Sequence, residues 1–285
     1  MGWYLLKIIK LYLTSLCIFF ICTGTALSQV KRNFNNLGFE LPALVTPGCR
    51  VYIGDTLVPS WSTTHPSQAQ ENNGGCIVPP TFSTAVSAPI IEMWRTPRDN
   101  SSGGIVNAPE GVQIAELNAA VASRLFQNVC LINNESVVWR FSHRGRGSAT
   151  AFDLASMLVG ASTIVTVGTT NNGTYQAPVA SLGTVNTPLP VSGNTTWINY
   201  SGQFIYTGVT GVSNIGFEAL TGTTSGNLLD NIQVDLAPFV EFTQASSSTP
   251  ESSSTNIPTL RVNGTVYTAF TVTVQITGGT AILGT

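Results

Sequence analysis

Charge is scarce in this chain. Asp, Glu, Lys and Arg make up 9% of its 285 residues, and histidine occurs only at His65 and His143. The net charge of −2 leaves no basic excess to neutralise phosphates, which excludes a nucleic-acid binder working by counterion release. No nucleophile elbow, metal-binding histidine pair or phosphate-cradling loop occurs, so no enzymatic activity is expected. Helical periodicity is almost missing. Only "IAELNAAVASRLF" (114–126) allows a helix, and strand, turn and strand fit it at least as well. Beyond residue 22 no apolar run is long enough to span a bilayer.

The N-terminus has the composition of an export signal. Lys7 and Lys10 precede an apolar run from Leu11 to Cys22, and Ala26 and Ser28 supply small residues before Gln29. An uncleaved anchor is the competing reading, but the run is shorter than the roughly 20 residues of a spanning helix. Residues 1–28 are therefore expected to be removed, leaving a protein secreted or displayed at the cell surface. Ten of the twelve basic residues then remain, against fourteen acidic ones.

Cysteine is equally sparse once Cys17 and Cys22 leave with the leader. Cys49, Cys76 and Cys130 allow one bridge and one lone thiol, or no bridge. Cys49 and Cys76 flank a Pro/Ser/Asn-rich loop and are the expected pair. Closing that loop would contribute about 3–4 kcal/mol through the unfolded chain. Cys130, in "LFQNVCLI", reads as a buried free thiol in a strand.

What the chain has in quantity is Thr, Ser, Asn, Gly and Val in short alternating runs. "APIIEMWR", "GVQIAELNA", "SVVWRFSHRG", "STIVTVGTT", "TTWINYSGQFIYTG" and "LLDNIQVDL" are divided by turn residues. This pattern predicts an all-β jelly-roll sandwich over 29–238. After a Ser/Thr/Pro-rich stretch at 243–258, "TLRVNGTVYTAFTVTVQ" alternates again, with Asn263-Gly264 as a tight turn. Residues 239–285 are expected to be the first strands of a second β-sandwich. So few strands cannot bury a sheet face, so further domains are expected downstream of Thr285.

Two short segments carry a family resemblance. "NNLGFELP" (35–42) and "NLLDNIQVDL" (227–236) resemble the opening and closing strands of carbohydrate-binding modules with a galactose-binding-like jelly roll. Between them, "VPSWSTT", "IEMWR", "APEGVQIAELNA" and "FSHRGRGS" resemble a bacterial exported subgroup, distantly similar to plant cell-wall proteins. "VEFTQASSSTPESS" and "GGTAILGT" are similar to the first half of a Calx-beta domain. The resemblance implies a structural calcium held by Glu40 and Asp230, completed by backbone carbonyls and waters. Both carboxylates could instead simply cap strand ends. It also implies a non-catalytic partner of an extracellular glycan or cell-surface polymer, within a larger adhesive protein. The alternative is a purely structural module without a sugar ligand. A glycoside hydrolase role is the minor one, because Glu92 and Glu116 are available but neither is marked as a desolvated acid.

The ten residues "WRFSHRGRGS" (139–148) gather Arg140, His143, Arg144 and Arg146. Alternation puts Val137, Trp139, Phe141 and His143 on a core face, with Val138, Arg140, Ser142 and Arg144 opposite. The same rule gives Glu92, Trp94, Glu116, Asn118, Arg140 and Arg144 as a polar face suited to sugar hydroxyls and the apolar side of a pyranose. A cross-strand ion pair of Arg144 with Glu116 is the structural alternative. Gly145 and Gly147 would form a turn, His143 would pack at a core edge, and Trp61 and Trp197 would be core or rim aromatics.

Overall fold

The computed structural model describes residues 32–77, 83–101, 104–244, 259–263 and 271–273. The leader expected over 1–28 lies outside them, as does most of the Calx-beta-like segment. The described residues fall into two units, the smaller within 240–262 and the larger comprising those before 240 and from 263 onward.

The larger unit is built almost wholly of strands. In chain order these are β1 (Arg50–Gly54), β2 (Ser62–Thr63), β3 (Ser67–Ala69), β4 (Glu71–Asn73) and β5 (Ser87–Arg95). Next come β6 (Arg98–Asp99), β7 (Ile105–Val106), β8 (Gln113–Glu116), β9 (Arg124–Leu131) and β10 (Ser136–Arg144). They are followed by β11 (Asp153–Val159), β12 (Ser162–Thr169), β13 (Val179–Ala180), β14 (Thr184–Val185) and β15 (Leu189–Val191). The last three are β16 (Asn194–Ile205), β17 (Gly211–Ala219) and β18 (Leu228–Leu236). The other unit contains the pairing of β19 (Phe239–Phe242) with β20 (Leu260–Asn263).

One sheet runs β14-β16-β10-β18-β8-β5-β1-β4, with β15 on β16 and β3 on β5. The second runs β13-β12-β11-β17-β9-β2. The pairings are antiparallel, and non-consecutive strands lie side by side, as in a jelly roll. Strand periodicity makes the core. Val137, Trp139 and Phe141 of β10 meet Met157 of β11 and Phe217 of β17 in one buried cluster. Phe141 lies edge-on to Phe217, with ring centroids 5.0 Å apart. Segment 114–126 is strand, turn and strand: β8 ends at Glu116 and β9 starts at Arg124.

The two ends of the domain share that core. Phe39 stacks on Trp61 at 4.8 Å and belongs to the same cluster as Ile232 and Val234 of β18. Arg32 bonds Glu135 (2.6 Å) and the carbonyls of Cys130 and Ala237, pinning the segment before β1 to the end of β18. Cys49 and Cys76 are disulfide-bonded, with Cα atoms 5.3 Å apart. Cys130 is free and half-buried rather than fully enclosed.

Candidate functional site

The outer face of the larger sheet, turned away from the sandwich core, divides into a closed half and an open half. Register explains the closed half. Glu92 of β5 lies directly opposite Glu116 of β8, and Tyr52 of β1 lies opposite Glu92. Because cross-strand partners share a face, these side chains project together. Trp94 and Ile114 form the next pair along. They pack with Trp197 and Leu228, and with Val106 and Val191 from the short strands β7 and β15.

Glu92, Trp94 and Glu116 are buried. Arg146 serves Glu116: its Nη1 donates to Oε1 (2.9 Å) and Oε2 (2.7 Å), and the Gly226 amide donates to Oε1 (2.8 Å). Asn100 orients that arginine, accepting from its Nε at 3.1 Å. Trp94 Nε1 donates to Glu92 Oε1 (2.7 Å), and the guanidinium groups of Arg146 and Arg98 lie 4.7 and 5.1 Å from the Trp94 ring. Arg50 Nε and Arg146 Nη1 each lie 3.9 Å from Glu92 Oε1, close enough to attract its charge but beyond hydrogen-bonding distance.

Glu92 Oε2 is buried without a donor. Its natural partner is Glu116, and two carboxylates bond only when one carries a proton. Burial first, then the charge of Glu116, holds the Glu92 carboxyl well above its usual range. Burial also raises Glu116, while Arg146 opposes it. Burial and the neighbouring carboxylate thus favour the protonated form of Glu92, beside a Glu116–Arg146 ion pair. Tyr52 is pushed up to about 12 by burial and by Glu92.

The other expected site residues are placed elsewhere. Asn118 accepts from the Asn227 backbone and side-chain amides (both 2.9 Å) and donates to the Thr221 carbonyl. Arg144 is buried, its Nε donating to the Asn171 carbonyl at 3.0 Å, and burial lowers it to about 10. The ion pair considered for Arg144 with Glu116 is made by Arg146 instead. Gly145 explains the step between them, since a Cβ there would strike the Thr169 carbonyl. Arg140 alone of the six is exposed, in register with Ser201 of β16 and Gln233 of β18. Arg146, Arg50, Arg98 and Tyr52 were not among the expected residues. Arg146 stands in the quoted basic cluster, but it lies past the end of β10, where strand alternation gives no direction.

His143 is buried and fully engaged. Its Nε2 is 2.9 Å from Asn227 Oδ1 and its Nδ1 is 2.9 Å from Thr169 Oγ1. Burial lowers it to about 4, so it is a neutral core group. Trp61 is a buried aromatic of the sandwich core, and Trp197 is buried with Trp94 in the cluster on the outer face.

The open half lies on β16, β10 and β18. Ser201, Arg140 and Gln233 form one cross-strand row, and Gln203, Val138 and Asp235 form the next. Asn186 donates to Ser201 Oγ (3.0 Å) and Gln233 donates to Asp235 (2.6 Å). Arg140, Val138 and Gln203 are exposed.

Glu40 and Asp230 lie near one another at the domain's opening and closing. Glu40 Oε1 accepts from the amides of Val112 (2.8 Å) and Gln113 (2.9 Å). Asp230 Oδ2 accepts from the Glu110 amide (3.1 Å), while its Oδ1 is buried without a donor. Across from Phe141, β18 carries an extra residue, with Asn231 at φ 50°, directly after Asp230. Burial pushes Asp230 up to about 8, and the charges of Glu110 and Glu40 add to it. A buried carboxylate oxygen without a donor, within electrostatic reach of two further acids, has the chemistry of one ligand to a hard cation. Among the described residues, no three His, Cys, Asp or Glu side chains converge as a ready-made metal cluster.

No protein-family model matches the chain, and no curated protein does. Solved structures similar to it include a Stig cyclase, Fisc from Fischerella sp. TAU (18% identity, TM-score 0.42, 74% of this chain and 98% of that one). Another is a family 35 carbohydrate-binding module from Clostridium thermocellum (18%, TM-score 0.28, 45% and 82%). A third is a CBM4 structure (11%, TM-score 0.35, 72% and 100%). The class of the protein rests on its own topology: an all-β jelly-roll sandwich.

Proposed function

We propose that the jelly roll is a non-catalytic module that binds an extracellular glycan within a larger secreted or surface-displayed protein. The open half of the outer face carries this reading. There the Arg140 guanidinium stands exposed between Ser201 and Gln233, and no side-chain partner holds it among the described residues. Neighbouring strands lie about 4.8 Å apart and same-face residues about 6.8 Å apart, so two such rows match the spread of hydroxyls on one or two sugar rings. Guanidinium, amide, hydroxyl and carboxylate groups together supply donors and acceptors. The closed half supports this surface from the side rather than forming it.

The geometry of Glu92 and Glu116 favours binding over hydrolysis. Glycoside hydrolysis needs two carboxyls about 5–10 Å apart across a cleft that admits the sugar. These two are direct cross-strand neighbours, and both are buried. Calcium held by Glu40 and Asp230 belongs to the same proposal, as a structural ion tying the domain's opening to its closing strand. No helix among the described residues is long and apolar enough to cross a membrane.

Retention on immobilised plant and microbial polysaccharides tests the function. Arg140→Ala and Gln233→Ala, which alter side chains outside the core, should lose retention by at least tenfold while melting like the parent. Unchanged retention in both variants would remove the strip as the site. For the metal, a chelator should lower the melting temperature of the parent but not of Glu40→Gln, which keeps the acceptor for Val112 and Gln113. A parent insensitive to chelator would remove the ion.

A further inference from the structure

A cavity of about 270 Å³ opens at the end of the sandwich, where the β11–β12 turn, the end of β16 and the start of β17 converge. We infer that it is a binding site for a single neutral pyranose ring. This inference does not depend on the Arg140 strip.

The lining specifies the chemistry. Ile164 and Phe204, both buried, line it together with Tyr206, and the hydroxyl-bearing residues Ser162, Thr207 and Ser213 belong to the same lining. No acidic or basic side chain lines the cavity. A charged ligand would lose its hydration there without gaining an ionic partner. A purely apolar ligand would leave the hydroxyls without partners. A neutral sugar ring satisfies both kinds of group, with C–H groups against Tyr206 and hydroxyls toward the serines. The volume lies just below the 300–1,000 Å³ range of drug-sized pockets, which suits one ring rather than a chain.

The walls are anchored before any ligand arrives. Tyr206 donates its hydroxyl to the Val209 carbonyl (3.1 Å) and its amide to the Glu135 carbonyl (2.9 Å). Gly160 donates its amide to Asn214 (2.8 Å), and its carbonyl accepts from Arg124 (2.7 Å). The amides of Ser181 and Leu182 both bond the Ile164 carbonyl (2.8 and 3.2 Å), which sets Leu182 at the mouth. A pre-formed cavity avoids the ordering cost that weakens small-ligand binding.

Amide NMR on the chain without its leader tests the site with four probes: methyl β-D-glucopyranoside, methyl β-D-galactopyranoside, methyl β-D-glucuronide and cyclohexanemethanol. At least one neutral glycoside should give saturable shifts at Gly160, Ser162 and Gly208 in the millimolar range. The glucuronide should bind at least tenfold more weakly, and so should cyclohexanemethanol. Ala161→Trp, at an exposed turn position beside the mouth, should abolish the shifts, and Ser213→Val should weaken them several-fold. Arg140→Ala should leave them unchanged, which separates this site from the strip. No saturable shift with either neutral glycoside, an equal response to the glucuronide, or a response to cyclohexanemethanol alone would overturn the inference.

Discussion

Glu116→Gln and Glu92→Gln remove the same atom type from adjacent buried positions, yet they should have opposite consequences. Glu116 carries the charge that holds Arg146, which contacts both its oxygens and is itself mostly buried. Breaking a buried ion pair by neutralising one partner costs about 3–5 kcal/mol. The Arg146 side chain keeps 19% exposure, so the lower end, about 3 kcal/mol, applies here. The fold favours the protonated form of Glu92, and a glutamine amide keeps that form's neutrality and its capacity to donate to Glu116. Near pH 4, before the unfolded carboxyl ionises, Glu92→Gln should therefore change stability by less than about 1 kcal/mol, and above that pH it should be the more stable protein.

The pH dependence follows with its sign. Both carboxyls are raised in the folded state. Their contribution is complete below the ordinary carboxylate pKa of about 4.3 and is lost as pH rises through the folded values. Each pH unit of that interval weakens the parent by about 1.4 kcal/mol per group until the folded pKa is passed. Glu92→Gln removes the larger of these losses, so its advantage over the parent should grow with pH. Urea unfolding of the three proteins at pH 5, 7 and 9 measures this difference and cancels the other titrations. A Glu92→Gln penalty equal to that of Glu116→Gln, or a parent-minus-variant difference flat with pH, would refute the proton-sharing account.

Two further predictions concern the core. Replacing both Cys49 and Cys76 with alanine should cost about 3–4 kcal/mol, as expected for a bridge spanning 27 residues, and lower the melting temperature by about 10 °C. A drop under about 3 °C in a calorimetric scan would mean that the loop is ordered without the bridge. His143, lowered to about 4 by burial, contributes stability that is complete above its ordinary pKa of about 6.5 and is lost as pH falls toward 4. The loss amounts to about 3 kcal/mol. An imidazole NMR titration should place the His143 midpoint well below 5, and a midpoint near 6.5 would contradict its buried neutral state.

Much of this was legible in the sequence because strand alternation is local. The inward set of Val137, Trp139 and Phe141, the outward set of Glu92, Trp94 and Glu116, and the pairing of Cys49 with Cys76 all follow from it or from loop position. Alternation reports which face a side chain leaves from, but not what covers that face. It therefore placed Glu92, Trp94 and Arg144 on a polar surface, where Val106 and Val191 pack with Trp94, Glu92 is buried opposite Glu116, and Asn171 holds Arg144. Arg146 was hidden for a related reason. It lies beyond the strand, and its partner Glu116 is 30 residues away, so only the folded topology joins them. The cavity beside Tyr206 was equally unreadable, because its walls come from three separate segments, each ordinary by itself.

Residue-resolved amide NMR during titration with a polysaccharide fragment that the domain retains tests the central claim most directly. The account predicts saturable shifts centred on Arg140, Ser201, Gln203 and Gln233, lost in Arg140→Ala. Shifts that spare this strip and survive the substitution would contradict it.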